Sequence, residues 1–214
     1  MQDTSSARMS PLLPPDWDEE ILDALGAFPS GLQFVLSRWE DGGDDARGMH
    51  TLGSLAHYPA LAKAFLTFNR HVAQNSMLTA RERELLILRI SWLRHSEYEF
   101  VQHDILGRRA GLTVEEIERV QAGPDASGWS AEDAALVQVA DDLHTQTRIS
   151  DTTWAALTAR YDSCQIMDMV FLVGCYNVLA MALGSFDIPL EPGVARFDTA
   201  TRERMLTSTA VKRG

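Results

Sequence analysis

The chain has 214 residues, of which 45% are hydrophobic and 23% are charged, and its formal net charge is −11. This composition is close to that of ordinary folded proteins, so a packed core is expected. The excess of acidic residues repels phosphate backbones and no Lys/Arg-rich run offsets it, so we expect no nucleic-acid partner.

The two ends of the chain differ in character from its middle. Residues 1–15 are polar and proline-rich and lack the apolar stretch of a signal peptide. We expect a flexible arm over 1–15, a single domain over 16–192 and a tail over 193–214. Cys164 and Cys175 lie too far apart on a predicted helix for a disulfide bond, so we expect two buried, reduced thiols in a cytoplasmic protein.

Helical signals run along the whole chain, and no convincing strand pattern occurs. Thr79 with Glu82, and Thr113 with Glu116, have the spacing of capping boxes, and Gly111 is a natural helix end. The pattern predicts an all-α protein of roughly eight to ten helices. Candidate helices cover residues 18–26, 29–40, 48–57, 59–75, 79–93, 95–110, 113–121, 130–146, 150–160, 163–184 and 199–206.

The segment from Met169 to Phe186 carries no charge and could be mistaken for a membrane span. Its 18 residues are at the short limit for a span, and Gly174, Asn177 and Gly184 interrupt it. We therefore expect no membrane partner. Such a helix is more typical of the centre of a bundle or of a subunit interface.

Residues 95–103, HSEYEFVQH, concentrate titratable side chains. On a helix, Ser96, Glu99 and His103 share one face at spacings of three and four. A carboxylate beside an imidazole orients the ring, raises its pKa and allows proton transfer. Glu84 on the preceding helix approaches them if the two helices pack antiparallel. A solvated surface pair and a metal site are the alternatives, but the latter lacks a third ligand, so we expect no metal and no cofactor.

A wider stretch resembles a known family. Residues 81–120, RERELLILRISWLRHSEYEFVQHDILGRRAGLTVEEIERV, closely resemble the carboxymuconolactone decarboxylase and AhpD-like family, and residues 167–190 are similar to its closing helix. The resemblance covers most of the chain from about Trp17 to Pro192. It implies an AhpD-like helical bundle built around an antiparallel helical hairpin, and a homo-oligomer such as a dimer, trimer or hexamer.

The resemblance also assigns site residues. In the alkylhydroperoxidase branch a glutamate, a Cys-x-x-Cys pair and a histidine form the site. The glutamate matches Glu84, the two cysteines match Ser96 and Glu99, the residue before the second cysteine matches Tyr98, and the histidine matches His103. Because both thiols are absent, a cysteine-dependent peroxidase is not expected. The remaining set suits the proton transfers of the decarboxylase branch.

These observations favour a cofactor-independent acid–base enzyme of the decarboxylase, lyase or isomerase kind, acting on a small carbonyl, lactone or polyketide-like compound. We expect His103 to be the general acid or base, Glu99 to orient it or to be the base, and Glu84 to relay or hold the proton. Tyr98 and Ser96 would donate hydrogen bonds to the developing oxyanion. The alternatives are a non-catalytic oligomeric binding protein on the same fold and a residual peroxide-handling role.

A substrate pocket also needs walls, although residues such as these candidates are more often plain core. Asn177, a polar amide in an apolar helix, is expected to face the site or a subunit contact. The candidate wall residues are Phe65, Phe68, Met77, Trp92, Tyr176 and Asn177.

Overall fold

The computed structural model describes residues 7–208, so residues 1–6 of the predicted arm and 209–214 of the predicted tail lie outside the described part. Within that part the chain is all-helical and has no strand, which confirms the predicted fold class. Eleven α-helices follow one another in this part of the chain: α1 (Glu19–Leu25), α2 (Pro29–Glu40), α3 (Met49–Leu55), α4 (Pro59–Arg70), α5 (Ala80–Leu93), α6 (Glu97–Arg109), α7 (Val114–Ala122), α8 (Ala131–Gln146), α9 (Asp151–Thr158), α10 (Ser163–Ser185) and α11 (Thr199–Thr207).

The predicted capping boxes set the beginnings of α5 and α7. The Thr79 side chain accepts a hydrogen bond from the Glu82 backbone N–H, while the Glu82 carboxylate accepts one from the Thr79 N–H at 2.7 Å. Thr113 and Glu116 repeat the arrangement at the start of α7. Gly111, with φ of 95°, follows the end of α6 in the left-handed region that glycine adopts without strain.

Three sequence-based expectations are wrong: two concern helix boundaries, and one concerns the burial of a cysteine. The helix predicted over 59–75 is α-helical only to Arg70 and continues as a π-helical turn, His71–Asn75. The helix predicted from residue 95 begins at Glu97, because His95 has a φ of 56° and so leaves the right-handed helical region. Cys164 is exposed rather than buried, because it lies in the exposed first turn of α10; Cys175 is buried as expected.

The described residues form two compact units. Unit 1 contains residues 7–74 and 181–196. Its core is an apolar cluster, and Leu12 and Leu13 from the predicted arm pack against it. The His50 ring shares a 2.8 Å hydrogen bond with the Pro189 carbonyl, which ties the second segment to the first. The fully buried members of this cluster include Leu25, Val35, Ala46, Met49, Ala62 and Leu66.

Unit 2 contains residues 75–180 and 197–208 and is organised around α5. Every residue of α5 from Glu84 to Leu93 is buried, because α6, α7 and α8 all pack against this helix. Consecutive α5 and α6 form an antiparallel hairpin, in which Gly107 allows close approach: a Cβ there would lie 3.3 Å from Leu88.

Two arginine–aspartate pairs fix α8 beside α5. Arg81 contacts Asp133 at 2.6 Å, and Arg89 contacts Asp141 at 2.5 Å. Since each pair joins residues 52 positions apart, the two helices run parallel and in register. Arg89 also donates to the Val120 carbonyl at 2.8 Å, so the same guanidinium holds the end of α7.

The long helix α10 meets the length and composition of a membrane span, but half of its apolar window is buried inside the protein. The helix is therefore covered by protein on only part of its surface. Met167, Phe171 and Val178 are each about half exposed and lie along one face with the exposed Gly174.

We predict that Asp141→Asn destabilises the protein far more than the exposed-pair variant Asp45→Asn. Loss of one partner leaves the buried Arg89 guanidinium uncompensated, which costs about 3–5 kcal/mol, whereas the Arg38–Asp45 pair is solvated. Urea unfolding followed by circular dichroism measures both variants. Equal stabilities of the two variants would contradict the structural role of the buried pair.

Candidate functional site

The structure brings Glu84 of α5 and His103 of α6 into direct contact. The His103 Nδ1 atom lies 2.7 Å from the Glu84 Oε2 atom, and each side chain is only 12% exposed. The antiparallel hairpin makes this contact, since it places the first half of α5 opposite the middle of α6. The two residues therefore form a largely desolvated carboxylate–imidazole dyad.

The contact determines which imidazole nitrogen can act as a base. An ionised carboxylate can only accept hydrogen bonds, so the proton of a neutral His103 ring resides on Nδ1. The lone pair of such a ring is on Nε2. The His103 ring also packs edge-to-face on Tyr176 of α10, with centroids 4.9 Å apart, which fixes the ring orientation.

Glu99 has a different environment from the one its spacing suggests. It is 2% exposed, and neither carboxylate oxygen accepts a hydrogen bond from the residues that the structure describes, so it does not pair with His103. Desolvation by burial raises the pKa of Glu99 to about 8, against smaller lowering contributions from Ser96 and the charge of Arg94. Glu84, rather than Glu99, orients the histidine, and Glu99 is mostly a neutral carboxylic acid at pH 7.

The other predicted catalytic residues lie at the start of α6. Ser96 occupies the N-cap position and is buried, but its side chain does not cap the helix. Tyr98 is buried in the first turn. Between them, Glu97 accepts a 2.8 Å hydrogen bond from the Phe197 backbone and binds Arg202, so this acid secures α11 rather than a ligand.

The candidate wall residues are dispersed. Trp92 is buried in an aromatic cluster with Phe100 and Phe197, with ring centroids between 5.3 and 6.1 Å apart. Phe65 packs against the apolar core of unit 1, and Phe68 is half-buried on α4 of that unit. Met77 is 58% exposed. Tyr176, by contrast, contacts the dyad through the His103 ring.

Asn177 lines a cavity of about 300 Å³ within unit 2. Sequence reasoning identified this residue but missed Arg94 and His144, which line the same cavity. No local sequence motif connects Arg94 with His144, because they lie near the C-terminal ends of different helices. The signal that they share is a basic side chain at such a position. The complete lining comprises Ile90, Arg94, Leu143, His144, Thr147, Val170, Val173, Gly174 and Asn177.

The arrangement of possible metal ligands does not favour a metal site. Among residues 7–208, no three histidine, cysteine, aspartate or glutamate side chains are grouped so that they could hold a metal ion. Glu84 and His103 would supply two ligands at most, and their close hydrogen bond already uses Nδ1 and one carboxylate oxygen.

Comparison with known proteins supports the family. Residues 59–142 match the model of the carboxymuconolactone decarboxylase family. No curated protein matches the chain in sequence.

Two solved structures share the fold. One is a protein of unknown function from Agrobacterium tumefaciens, suggested to be the antioxidant defence protein AhpD; it is 20% identical, with a TM-score of 0.59 over 63% of this chain and 93% of that one. The other is an uncharacterized peroxidase-related protein from Silicibacter sp. TM1040; it is 14% identical, with a TM-score of 0.67 over 88% of this chain and 96% of that one. The family resemblance carried by the sequence is confirmed by the match of residues 59–142 to the family model, and the two solved structures show the fold.

Proposed function

We propose that this chain is a cofactor-independent acid–base enzyme of the decarboxylase, lyase or isomerase kind, acting on a small carbonyl, lactone or polyketide-like metabolite. The observation that carries the proposal is the 2.7 Å contact between His103 and Glu84 on a family fold that includes decarboxylases. A desolvated carboxylate beside an imidazole is an arrangement suited to proton transfer at neutral pH. We propose a cytoplasmic protein with a small-molecule substrate.

The proposed mechanism uses the two nitrogens of His103 for different tasks. In the neutral ring, Nε2 removes a proton from the carbon next to the substrate carbonyl. In the imidazolium, Nε2 gives its proton to the enolate left after CO₂ departs, and the ring becomes neutral again. Nδ1 stays bonded to Glu84, which stabilises the imidazolium during the step. Neither task needs the Glu84 carboxylate to leave its position, so the dyad is preorganised for the reaction.

Glu99 supports the same chemistry as a second proton carrier. A carboxyl group with a pKa of about 8 is mostly protonated at neutral pH, and it can therefore donate a proton or a hydrogen bond where an ordinary glutamate could not. Ser96 and Tyr98, buried in the same turn, are the proposed donors to the developing oxyanion. Glu99 is thus the acid partner of the dyad rather than its orienting group.

A peroxidase role is the less favoured proposal, although one structural neighbour is described as peroxidase-related. The positions that match the redox pair of the alkylhydroperoxidase branch hold Ser96 and Glu99. Cys164 and Cys175 lie on α10, the first exposed and the second buried. A thiol peroxidase needs a reactive thiolate with a resolving partner. Peroxide consumption that is lost in Cys164→Ser would favour this role.

A non-catalytic oligomeric binding protein on the same fold is the second candidate. The observation that favours it is the exposed apolar face of α10, where Met167, Phe171 and Val178 leave large side chains in solvent. A second copy of this chain is the proposed occupant of that face. In this alternative the Glu84–His103 pair is a buried structural bond, and its loss reduces stability rather than turnover.

We predict that His103→Gln and Glu84→Gln each reduce turnover by about 10²–10⁴-fold, because the base or its stabilising partner is lost. The assay is NMR in D₂O with a panel of β-keto acids and carboxylated lactones, followed for CO₂ loss and for deuterium at the carbon next to the carbonyl. The control is His57→Gln, a histidine exposed on unit 1. Full turnover by folded His103→Gln would contradict the acid–base proposal. If the parent chain shows no turnover and both variants lose much stability, the result would favour the non-catalytic binding protein.

We predict that the free energy of unfolding falls as pH rises from about 4.5 to about 8, by at most about 1.4 kcal/mol per pH unit from this group. In that window the folded chain keeps the Glu99 proton while the unfolded chain has lost it, so rising pH favours unfolding. Glu99→Gln removes this dependence and is more stable than the parent chain at pH 8. Urea titrations across the pH range measure both; identical slopes in the two chains would contradict a neutral buried Glu99.

We predict that the protein is a homo-oligomer and that Phe171→Glu shifts it towards monomer, because a charge is placed on the exposed face of α10. Size-exclusion chromatography with light scattering measures the mass. Val114→Glu, which charges a comparably exposed residue on α7, is the matched control and should leave the mass unchanged. A monomeric parent chain would exclude the proposed assembly.

A further inference from the structure

The cavity that Asn177 lines is separate from the dyad. None of its nine lining residues is Glu84, His103 or Tyr176. On α5, Ile90 lies six residues beyond Glu84, or about 9 Å along the helix, and Arg94 lies further on. On α10, Asn177 points about 100° away from Tyr176. The cavity therefore needs an explanation of its own.

The lining combines apolar side chains with a few polar groups. Ile90, Leu143, Val170 and Val173 supply hydrocarbon, and Arg94, His144, Thr147 and Asn177 supply polar groups. A volume of about 300 Å³ is at the small end of the range for ligand cavities. A molecule with a short hydrocarbon body and one polar head matches this division.

The charge of the cavity comes from Arg94. Its guanidinium forms no ion pair with the residues that the structure describes. Its charge acts on Glu99, which burial keeps mostly protonated. Burial, and then the charge of Arg94, lower the pKa of His144, so this imidazole is a neutral hydrogen-bonding group at pH 7. None of the described lining residues is acidic.

Arg94 has no ion-pair partner among the described residues, and the polar groups near it are neutral. Such a site favours an anionic ligand. The planar donors of Arg94 match a carboxylate in a two-point contact. The Asn177 amide and the neutral imidazole of His144 can each donate one further hydrogen bond. The C-terminal dipoles of α5 and α8 oppose an anion, but they are fractional charges, whereas the exposed Arg94 side chain carries a full charge.

We propose that this cavity is a binding site for a small monocarboxylate with a short branched hydrocarbon body, distinct from the Glu84–His103 dyad. The carboxylate binds Arg94 and Asn177, and the hydrocarbon lies on Ile90, Val170 and Val173. This inference does not depend on the proposed acid–base function, because it concerns binding and uses none of the dyad residues.

A substitution at Gly174 can test whether space in the cavity is needed for binding. Gly174 lines the cavity, and a Cβ built there meets no atom within 4 Å, so a larger side chain can extend into open space. Replacing a glycine inside α10 also favours the helix. Gly174→Leu should therefore add bulk to the cavity lining without a clash, whereas Arg94→Gln removes the positive charge and leaves a shorter polar side chain.

The test is an NMR titration of the parent chain with 4-methylpentanoate and with its neutral isostere 4-methylpentanamide. We expect saturable binding of the acid, with shifts at Asn177 and His144, and weaker binding of the amide. Arg94→Gln should weaken acid binding by at least about tenfold, the loss of a charge-assisted contact. Gly174→Leu should weaken the binding of both compounds. Arg109→Gln, at an exposed arginine on α6, is the matched control.

His103→Gln should bind the acid as the parent chain does, and its failure to bind would assign the cavity to the dyad and overturn the proposal. The proposal is likewise overturned if the acid shows no saturable binding up to about 10 mM, if the amide binds as well as the acid, or if Arg94→Gln binds as the parent chain does. Circular dichroism of each variant confirms that it is folded, and the Arg94→Gln and Gly174→Leu results test charge and space separately.

Discussion

The arrangement of unit 2 depends on the buried ion pair between Arg89 and Asp141. Two desolvated charges stabilise a fold only when their geometry is good and their remaining hydrogen-bonding groups are satisfied. Here the guanidinium makes a two-point contact with the aspartate and also binds the carbonyl of Val120, so one side chain joins three helices. With α8 held in register along one side, α5 presents Glu84 to α6 and Arg94 to the cavity. The dyad and the cavity are therefore both positioned by the Arg89–Asp141 ion pair, whose residues are part of neither site.

Two glutamates of one hairpin show how environment decides the role of a carboxyl group. Glu84 is largely buried but has the His103 ring at hydrogen-bond distance, so its charge has a partner. Glu99 is more deeply buried and has no such bond, so it holds a proton instead. In the proposed mechanism, Glu84 accordingly supports the His103 base, whereas Glu99 supplies a proton.

Most of the fold could be predicted from local sequence. Capping boxes and turn glycines mark where helices begin and end, and the apolar periodicity marks their buried faces. The antiparallel packing of two consecutive helices was sufficient to predict that Glu84 approaches His103. Spacing alone could not show that Glu99 is isolated, because i,i+4 proximity on one helix says nothing about which neighbouring helix covers the side chain. It also could not reveal the cavity, since Arg94, His144 and Asn177 come from three helices without a shared motif.

The two sites are electrostatically linked through Arg94. Its charge favours the ionised form of Glu99, although burial outweighs this effect. A carboxylate bound in the cavity would satisfy the guanidinium and weaken its attraction for Glu99, which makes loss of the Glu99 proton still less favourable. By thermodynamic reciprocity, a chain in which Glu99 is protonated binds the carboxylate more tightly than one in which it is ionised. Occupancy of the cavity and protonation of Glu99 therefore reinforce each other, because both respond to the charge of Arg94 at the end of α5.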